Sequence, residues 1–142
     1  MTIFNWKKPH NVYVDATISN RHSQDQNLLK NSYIGYVVEG LELKGEKKID
    51  ETESIDAELE AIIFALDSLE KKLKRFIIFC DHESAVFEIN REPVNPKLKN
   101  IRIKKIRTRL ENNPSIKVKM FKVNPAHTYI KKYIENNKLN QV

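Results

Sequence analysis

The stretch AELEAIIFALDSLEKKLKRFIIFCD, residues 57–81, decides the fold. Its first part carries Leu59, Ile62, Ile63, Leu66, Leu69 and Leu73 at three- and four-residue steps. That spacing lines one side of a helix with apolar groups, so residues 57–74 read as an amphipathic helix. The next residues, RFIIFCD (75–81), are too short for a second helix and nearly all apolar, as in a strand buried on both faces. A helix leading straight into a buried strand is the repeating step of a sheet with helices packed on it.

Working outward, residues 11–18 have the β-branched and aromatic content of a strand, and residues 19–32 read as a polar loop. SYIGYVVEG (32–40) and LELKGEKKI (41–49) read as two further strands joined as a hairpin through Glu39 and Gly40. In the acidic DETESID that follows, Ser54 or Asp56 can cap the helix, and acids suit its first turn. Beyond residue 81, HESAVFEIN predicts a short helix, and Pro93 and Pro96 mark a connection. Residues 96–113 predict a long helix with Leu98, Ile101, Ile106 and Leu110 on one side, 115–123 a last strand, and AHTYIKKYIENN a terminal helix. The expectation is an α/β (α+β) architecture: one domain over residues 1–142, with a five-stranded mixed sheet flanked by helices.

At 142 residues, 40% hydrophobic and 31% charged, the composition suits one domain with a real core rather than a disordered chain. No apolar run approaches the roughly 20 residues needed to span a bilayer, and MTIFNWKKPHN lacks the apolar core of an export signal. Cys80 is the only cysteine, so it forms no internal disulfide and builds no thiolate zinc site by itself. These features fit a reducing, cytoplasmic setting with no membrane partner. The net charge of +6 is unevenly spread: residues 1–96 hold 12 Lys and Arg against 17 Asp and Glu, residues 97–142 hold 13 against 2. That asymmetry suggests a polyanionic partner, nucleic acid first, although a solvated basic face is the plainer alternative.

Three acids fall where a core is expected. Asp15, within VYVDATISN (12–20), interrupts the first strand, and strands use Asp sparingly. Glu58 sits in the first turn of the long helix, and Asp81 ends the strand FIIFC. Taken singly, Glu58 can be exposed and Asp81 can cap the next helix. If the first strand pairs beside the 75–81 strand, however, Asp15 and Asp81 become neighbours and Glu58 completes a group. Like charges so close repel unless a cation lies between them, and an oxygen-only donor set suits Mg²⁺ or Mn²⁺.

The same segments resemble the ribonuclease H family. Asp15-Ala16-Thr17 matches its strand with an Asp, a small residue and Ser or Thr; Ala57-Glu58-Leu59 matches its helix start; Asp81 matches its strand-ending Asp, with His82 where Ser is usual. The resemblance implies a ribonuclease H-like fold and a metal-dependent endonuclease cutting the RNA strand of RNA–DNA hybrids by two-metal-ion hydrolysis. It implies that Asp15 bridges both metals, with Glu58 and Asp81 completing the ligand set. The basic helix, with Lys97, Lys99, Arg102, Lys104, Lys105, Arg107 and Arg109, can follow a phosphate backbone. Lys99, Arg102, Lys105 and Arg109 are the candidates of choice, with RNA–DNA hybrid or structured RNA as the partner, and His127 has a possible supporting role.

The resemblance breaks at the family's fourth acid, near the start of the last helix. Alignment puts Ile130 at the preceding small residue and Lys131 where Asp is expected, with Glu135 one turn further on as the nearby carboxylate. A lysine opposes a second metal, so the alternative is a weakened or inactive nucleic-acid-binding module on the same fold. A phosphotransferase of related fold is disfavoured: Gly35, Gly40 and Gly45 all lie in the hairpin region and form no phosphate loop.

Overall fold

The element order in the computed structural model is β-β-β-α-β-α-α-β-α, and residues 8–22, 28–50, 53–121 and 125–140 are described by it. Strands β1 (His10–His22), β2 (Leu28–Val38) and β3 (Lys44–Ile49) form an antiparallel meander. Helix α1 (Ser54–Leu69) then crosses to β4 (Phe76–Cys80), which pairs parallel to β1. Helices α2 (Glu83–Asn90) and α3 (Ile101–Asn112) lead to β5 (Ile116–Met120), parallel to β4, and α4 (Pro125–Asn140) follows. The sheet order is β3-β2-β1-β4-β5, a five-stranded mixed sheet flanked by four helices.

The expected bounds shift in physically legible ways. Within the loop expected at 19–32, residues 19–22 and 28–32 are strand, with Asn20 facing Lys30, and residues 23–27 lie outside the described residues. Beyond Tyr13, β1 pairs with β2 alone, and polar residues suit a ribbon whose outer backbone groups are left to water. The hairpin between β2 and β3 turns on Gly40, whose φ of 81° suits a residue without a Cβ, and β3 starts only at Lys44. Helix α1 starts at Ser54 on Glu53, with no side-chain cap from Ser54 or Asp56, and stops at Leu69 rather than residue 74. Leu73 reaches the core from the turn beyond it, its N–H bonded to Leu69 O at 2.9 Å. Helix α3 begins at Ile101, not 96, because the Asn100 side chain accepts from the N–H groups of Arg102 and Ile103 and caps it there.

One face of the sheet carries the main core. Val12 and Val14 of β1, Ile34 and Tyr36 of β2, Phe76, Ile78 and Cys80 of β4, and Val118 of β5 pack with Leu59, Ile62 and Leu66 of α1 and Ile103 and Ile106 of α3. Helix α3 is tied to α1 by charge as well. Arg102 Nε lies 2.7 Å from Glu60 Oε1, and Arg109 pairs with both Asp67 and Glu70. Helix α4 lies on the other face, over β1 and β2, where Ile130 and Tyr33 form a small second core. No helix among the described residues is long and apolar enough to cross a membrane.

The seat of α4 depends on Gly35. A Cβ there would lie 2.1 Å from Ile130 Cδ1 and 2.7 Å from the backbone oxygen of Gly45. Gly35 is paired with Asp15 across the β1–β2 ladder, so this close approach sets the height of α4 above Asp15. Gly35→Ala is expected to destabilise the fold by about 1–3 kcal/mol through overpacking. Urea denaturation checks this, and an unchanged midpoint would show that α4 is not seated on this glycine.

Candidate metal centre

Side chains alternate along a strand, so Val12 and Val14 enter the main core while Tyr13 and Asp15 emerge on the face that α4 covers. The parallel pairing runs from His10 opposite Phe76 to Tyr13 opposite Phe79. Two residues further on, the same register places Asp15 across from Asp81, just past the end of β4. Carboxyl ends of neighbouring parallel strands are where an α/β sheet opens a crevice, and here two acids occupy it. From the first turn of α1, Glu58 reaches the same edge, its carboxylate accepting from the thiol of Cys80 at 3.6 Å. Glu58, Cys80 and Asp81 bring one ligand atom each to within 4.8 Å of one another.

Burial makes this group costly. Asp15 is 2% exposed and Glu58 6%, whereas Asp81 faces solvent. Glu58 is pushed up to about 8, first by burial and then by the charges of Asp15 and Asp81. Asp15 is also raised, chiefly by burial, with Asp81 adding to the rise and a hydrogen bond to His127 opposing it. The Ala16 backbone N–H pulls in the lowering direction on both carboxyls. The Cys80 thiol is pushed well above its usual range by burial and by Glu58. A buried pair of acids beside a third is a set of oxygen donors that could hold a hard divalent cation, with Glu58 and Asp81 in the tighter group.

His127 is the α4 residue that meets the group: its Nδ1 lies 2.8 Å from Asp15 Oδ2, while the ring is largely open to solvent. This contact turns Asp15 towards α4, and Asp15 stands outside the tightest cluster of Glu58, Cys80 and Asp81. Lys131, where a fourth acid is expected, is exposed, as is Glu135; Ile130 beside it is fully buried on Gly35. His82, in the place of the usual serine, caps α2 by accepting from Ala85 N–H at 3.3 Å. The contact between Cys80 and Glu58 was legible only in part. Alternation from Phe76 puts Cys80 on the inner face beside Asp81, but nothing in the sequence says that Glu58 leans onto it.

The basic candidates divide. Lys99 and Lys105 are exposed, as are Lys97 and Lys104. Arg102 and Arg109 instead hold α1: Arg102 with Glu60 and Asp56, Arg109 with Asp67 and Glu70. Both arginines, offered by the sequence as phosphate contacts, are engaged in ion pairs in this structure. Arg107 is buried and donates to the carbonyls of Glu88 and Ile89 at 3.1 and 2.7 Å, a structural clamp between α3 and the end of α2.

Because the folded Glu58 carboxyl binds its proton more tightly than the unfolded one, the metal-free protein loses stability as pH rises from about 5 to about 8. Glu58→Gln is expected to flatten that slope and to leave the metal-free variant the more stable protein at pH 8, by up to a few kcal/mol (order of magnitude). Thermal melts across pH in chelator check the sign; a variant less stable than wild type at pH 8 would contradict the burial argument.

No family model matches the sequence, and no curated protein matches it. Solved structures do match in fold. A foamy viral protease–reverse transcriptase in complex with dsDNA superposes with a TM-score of 0.66 at 19% identity, over 89% of each chain. A foamy viral protease–reverse transcriptase in complex with RNA/DNA hybrid gives a TM-score of 0.61 at 15% identity, over 89% of this chain but only 19% of that one. RNase H1 from the halophilic archaeon Halobacterium salinarum gives 0.57 at 13% identity, over 87% and 91% of the two chains. The chain therefore has the ribonuclease H-like fold.

Proposed function

We propose that this domain is a metal-dependent endoribonuclease that cuts the RNA strand of RNA–DNA hybrids. The observation that carries this reading is the convergence of Asp15, Glu58 and Asp81, close enough for their charges to act on one another, just past the last paired residues of β1 and β4 and at the start of α1. Structures of this fold in complex with dsDNA and with RNA/DNA hybrid support a nucleic-acid substrate. Asp15, Glu58 and Asp81 are the residues that would hold Mg²⁺ or Mn²⁺. Bound there, the cation supplies Lewis-acid activation of water and neutralises charge on the scissile phosphate. His127 holds the Asp15 carboxylate in place from α4. Lys99 and Lys105, exposed on and beside α3, are placed to contact phosphates without reading sequence. A second reading, a binding module without turnover, draws on Lys131, a cation on α4 where the fourth acid is expected.

The deciding experiment is cleavage of an end-labelled RNA–DNA hybrid with Mg²⁺ and, separately, Mn²⁺. The nuclease reading expects cutting of the RNA strand, reduced at least about a hundredfold by Asp15→Asn, since loss of a ligand removes several kcal/mol of charge stabilisation. Hybrid that is bound but uncut with either metal would leave the binding module. For the basic surface, Lys99→Ala and Lys105→Ala are each expected to weaken hybrid binding and to reduce the salt slope by about 1. Arg109→Ala is expected to lower the melting temperature instead, because its partners are the acids of α1. Equal salt slopes in wild type and both lysine variants would move the nucleic-acid track elsewhere.

A further inference from the structure

Helix α4 packs over β1 and β2 on the sheet face opposite the main core, and the same face of β4 and β5 is left open among the described residues. The pairing register sets the side chains of that face in rows: Asn11, Ile77 and Lys117 in one, Tyr13, Phe79 and Lys119 in the next. Beyond the last paired residues come Asp15, Asp81 and Phe121. Phe121 donates its N–H to Cys80 O at 3.1 Å and lays its ring on Tyr13 and Phe79, with centroids 5.3 and 5.2 Å away. Tyr13 is buried, whereas Phe79 and Phe121 stay half-buried and Lys117 and Lys119 are exposed. At the other end of this strip a cavity of about 350 Å³ is lined by Pro9, Arg75, Ile77, Pro114, Ser115 and Lys117.

The make-up of the strip is selective. Strands β4 and β5, FIIFC and IKVKM, bring no acid to it, so its charge comes from Arg75, Lys117 and Lys119. Carboxylates stand only at its borders: Glu39, which accepts from Tyr13 OH and Asn11, and the acids of the metal centre. Lys117 and Lys119 are two residues apart, about 6.6 Å along a parallel strand, a step that suits successive phosphates of an extended nucleic-acid chain. Unpaired bases offer their π-faces to aromatic rings, whereas a duplex hides those faces in its own stack. We propose that the open face of β4 and β5 holds a single-stranded run of nucleic acid adjoining the hybrid, with its phosphates on Lys117 and Lys119 and a base on the ring of Phe121. The inference rests on the nucleic-acid reading above and deepens it, because Phe121, bonded to the residue before Asp81, ends the strip at the metal centre. Helix α3 packs on the other face of the sheet, so this is a second track, separate from Lys99 and Lys105.

The test compares binding of the full chain, in chelator so that nothing is cut, to a blunt RNA–DNA hybrid and to hybrids with about four unpaired nucleotides at one end, on either strand. At least one overhang is expected to tighten wild-type binding about tenfold or more. Lys117→Ala with Lys119→Ala is expected to abolish that gain and to lower the salt slope for the overhang hybrid by about 1.4, as for two phosphate contacts on a single strand. Phe121→Leu, which keeps bulk over Phe79 but removes the ring, is expected to cost at least about fivefold of the gain at an unchanged salt slope. Melting temperatures establish that both variants are folded. Equal wild-type affinity for blunt and overhang hybrids overturns the inference, as does a gain that survives either variant. A wild-type dimer that Phe121→Leu dissociates would give the face to a second copy and overturn it too. Cleavage with Mg²⁺ or Mn²⁺ is read separately: cutting without an overhang gain sinks the strip alone, whereas a variant-sensitive gain without cutting sinks the nuclease reading and supports the strip.

Discussion

The parallel register between β1 and β4 is the constraint on which the rest of the structure depends. Fixing Tyr13 opposite Phe79 directs Asp15 and Asp81, two residues later on each strand's path, to the same open end of the sheet. A slip by one residue would turn Asp15 into the hydrocarbon core and Val12 and Val14 out of it, so the apolar pattern that folds the strand also aims the acid. Helix α1 fills the sheet's inner face with Leu59, Ile62 and Leu66, and that packing places Glu58, one residue before Leu59, at the same edge. Hydrophobic burial thus does the work of bringing negative charges together. The Glu58 carboxyl is pushed up by its burial first and by those charges second, and a bound cation would oppose both.

The opposite face contributes by proximity. Helix α4 can lie low over β1 and β2 because Gly35 has no side chain, and Ile130 occupies the space above it. One turn earlier on α4, His127 then meets Asp15. Gly35, Asp15 and His127 form a connected stack across three elements, although they are far apart in sequence. The stack explains why Asp15 is turned towards α4 while Glu58, Cys80 and Asp81 draw together.

Much of this was legible from the residues. The helix-then-strand reading of 57–81 and the five strands in order follow from periodicity, and the meeting of Asp15 and Asp81 follows from placing the first strand beside that buried strand. Three features were not. The extension of β1 to His22 and the start of β2 at Leu28 hide behind polar residues, because strand pairing there rests on backbone bonds and not on an apolar pattern. The true start of α3 depends on Asn100, whose cap looks in sequence like any loop asparagine. The charge asymmetry between the two parts of the chain suggested a polyanion, but part of it is internal. Arg102 and Arg109 of α3 answer Asp56, Glu60 and Asp67 of α1 and Glu70 at its C-cap, a pairing across 39 or more residues that composition cannot reveal.

The account's central claim is electrostatic: the buried carboxyls are assembled for a cation and are incomplete without one. The most direct measurement is a carbon-13 NMR titration of the Glu58 side-chain carboxyl, in chelator and then in saturating Mg²⁺. The account predicts titration near pH 8 without the ion and a return to the ordinary carboxylate range with it. A Glu58 that titrates alike in both conditions would contradict it, because the three acids would then share an edge of the sheet without sharing an ion.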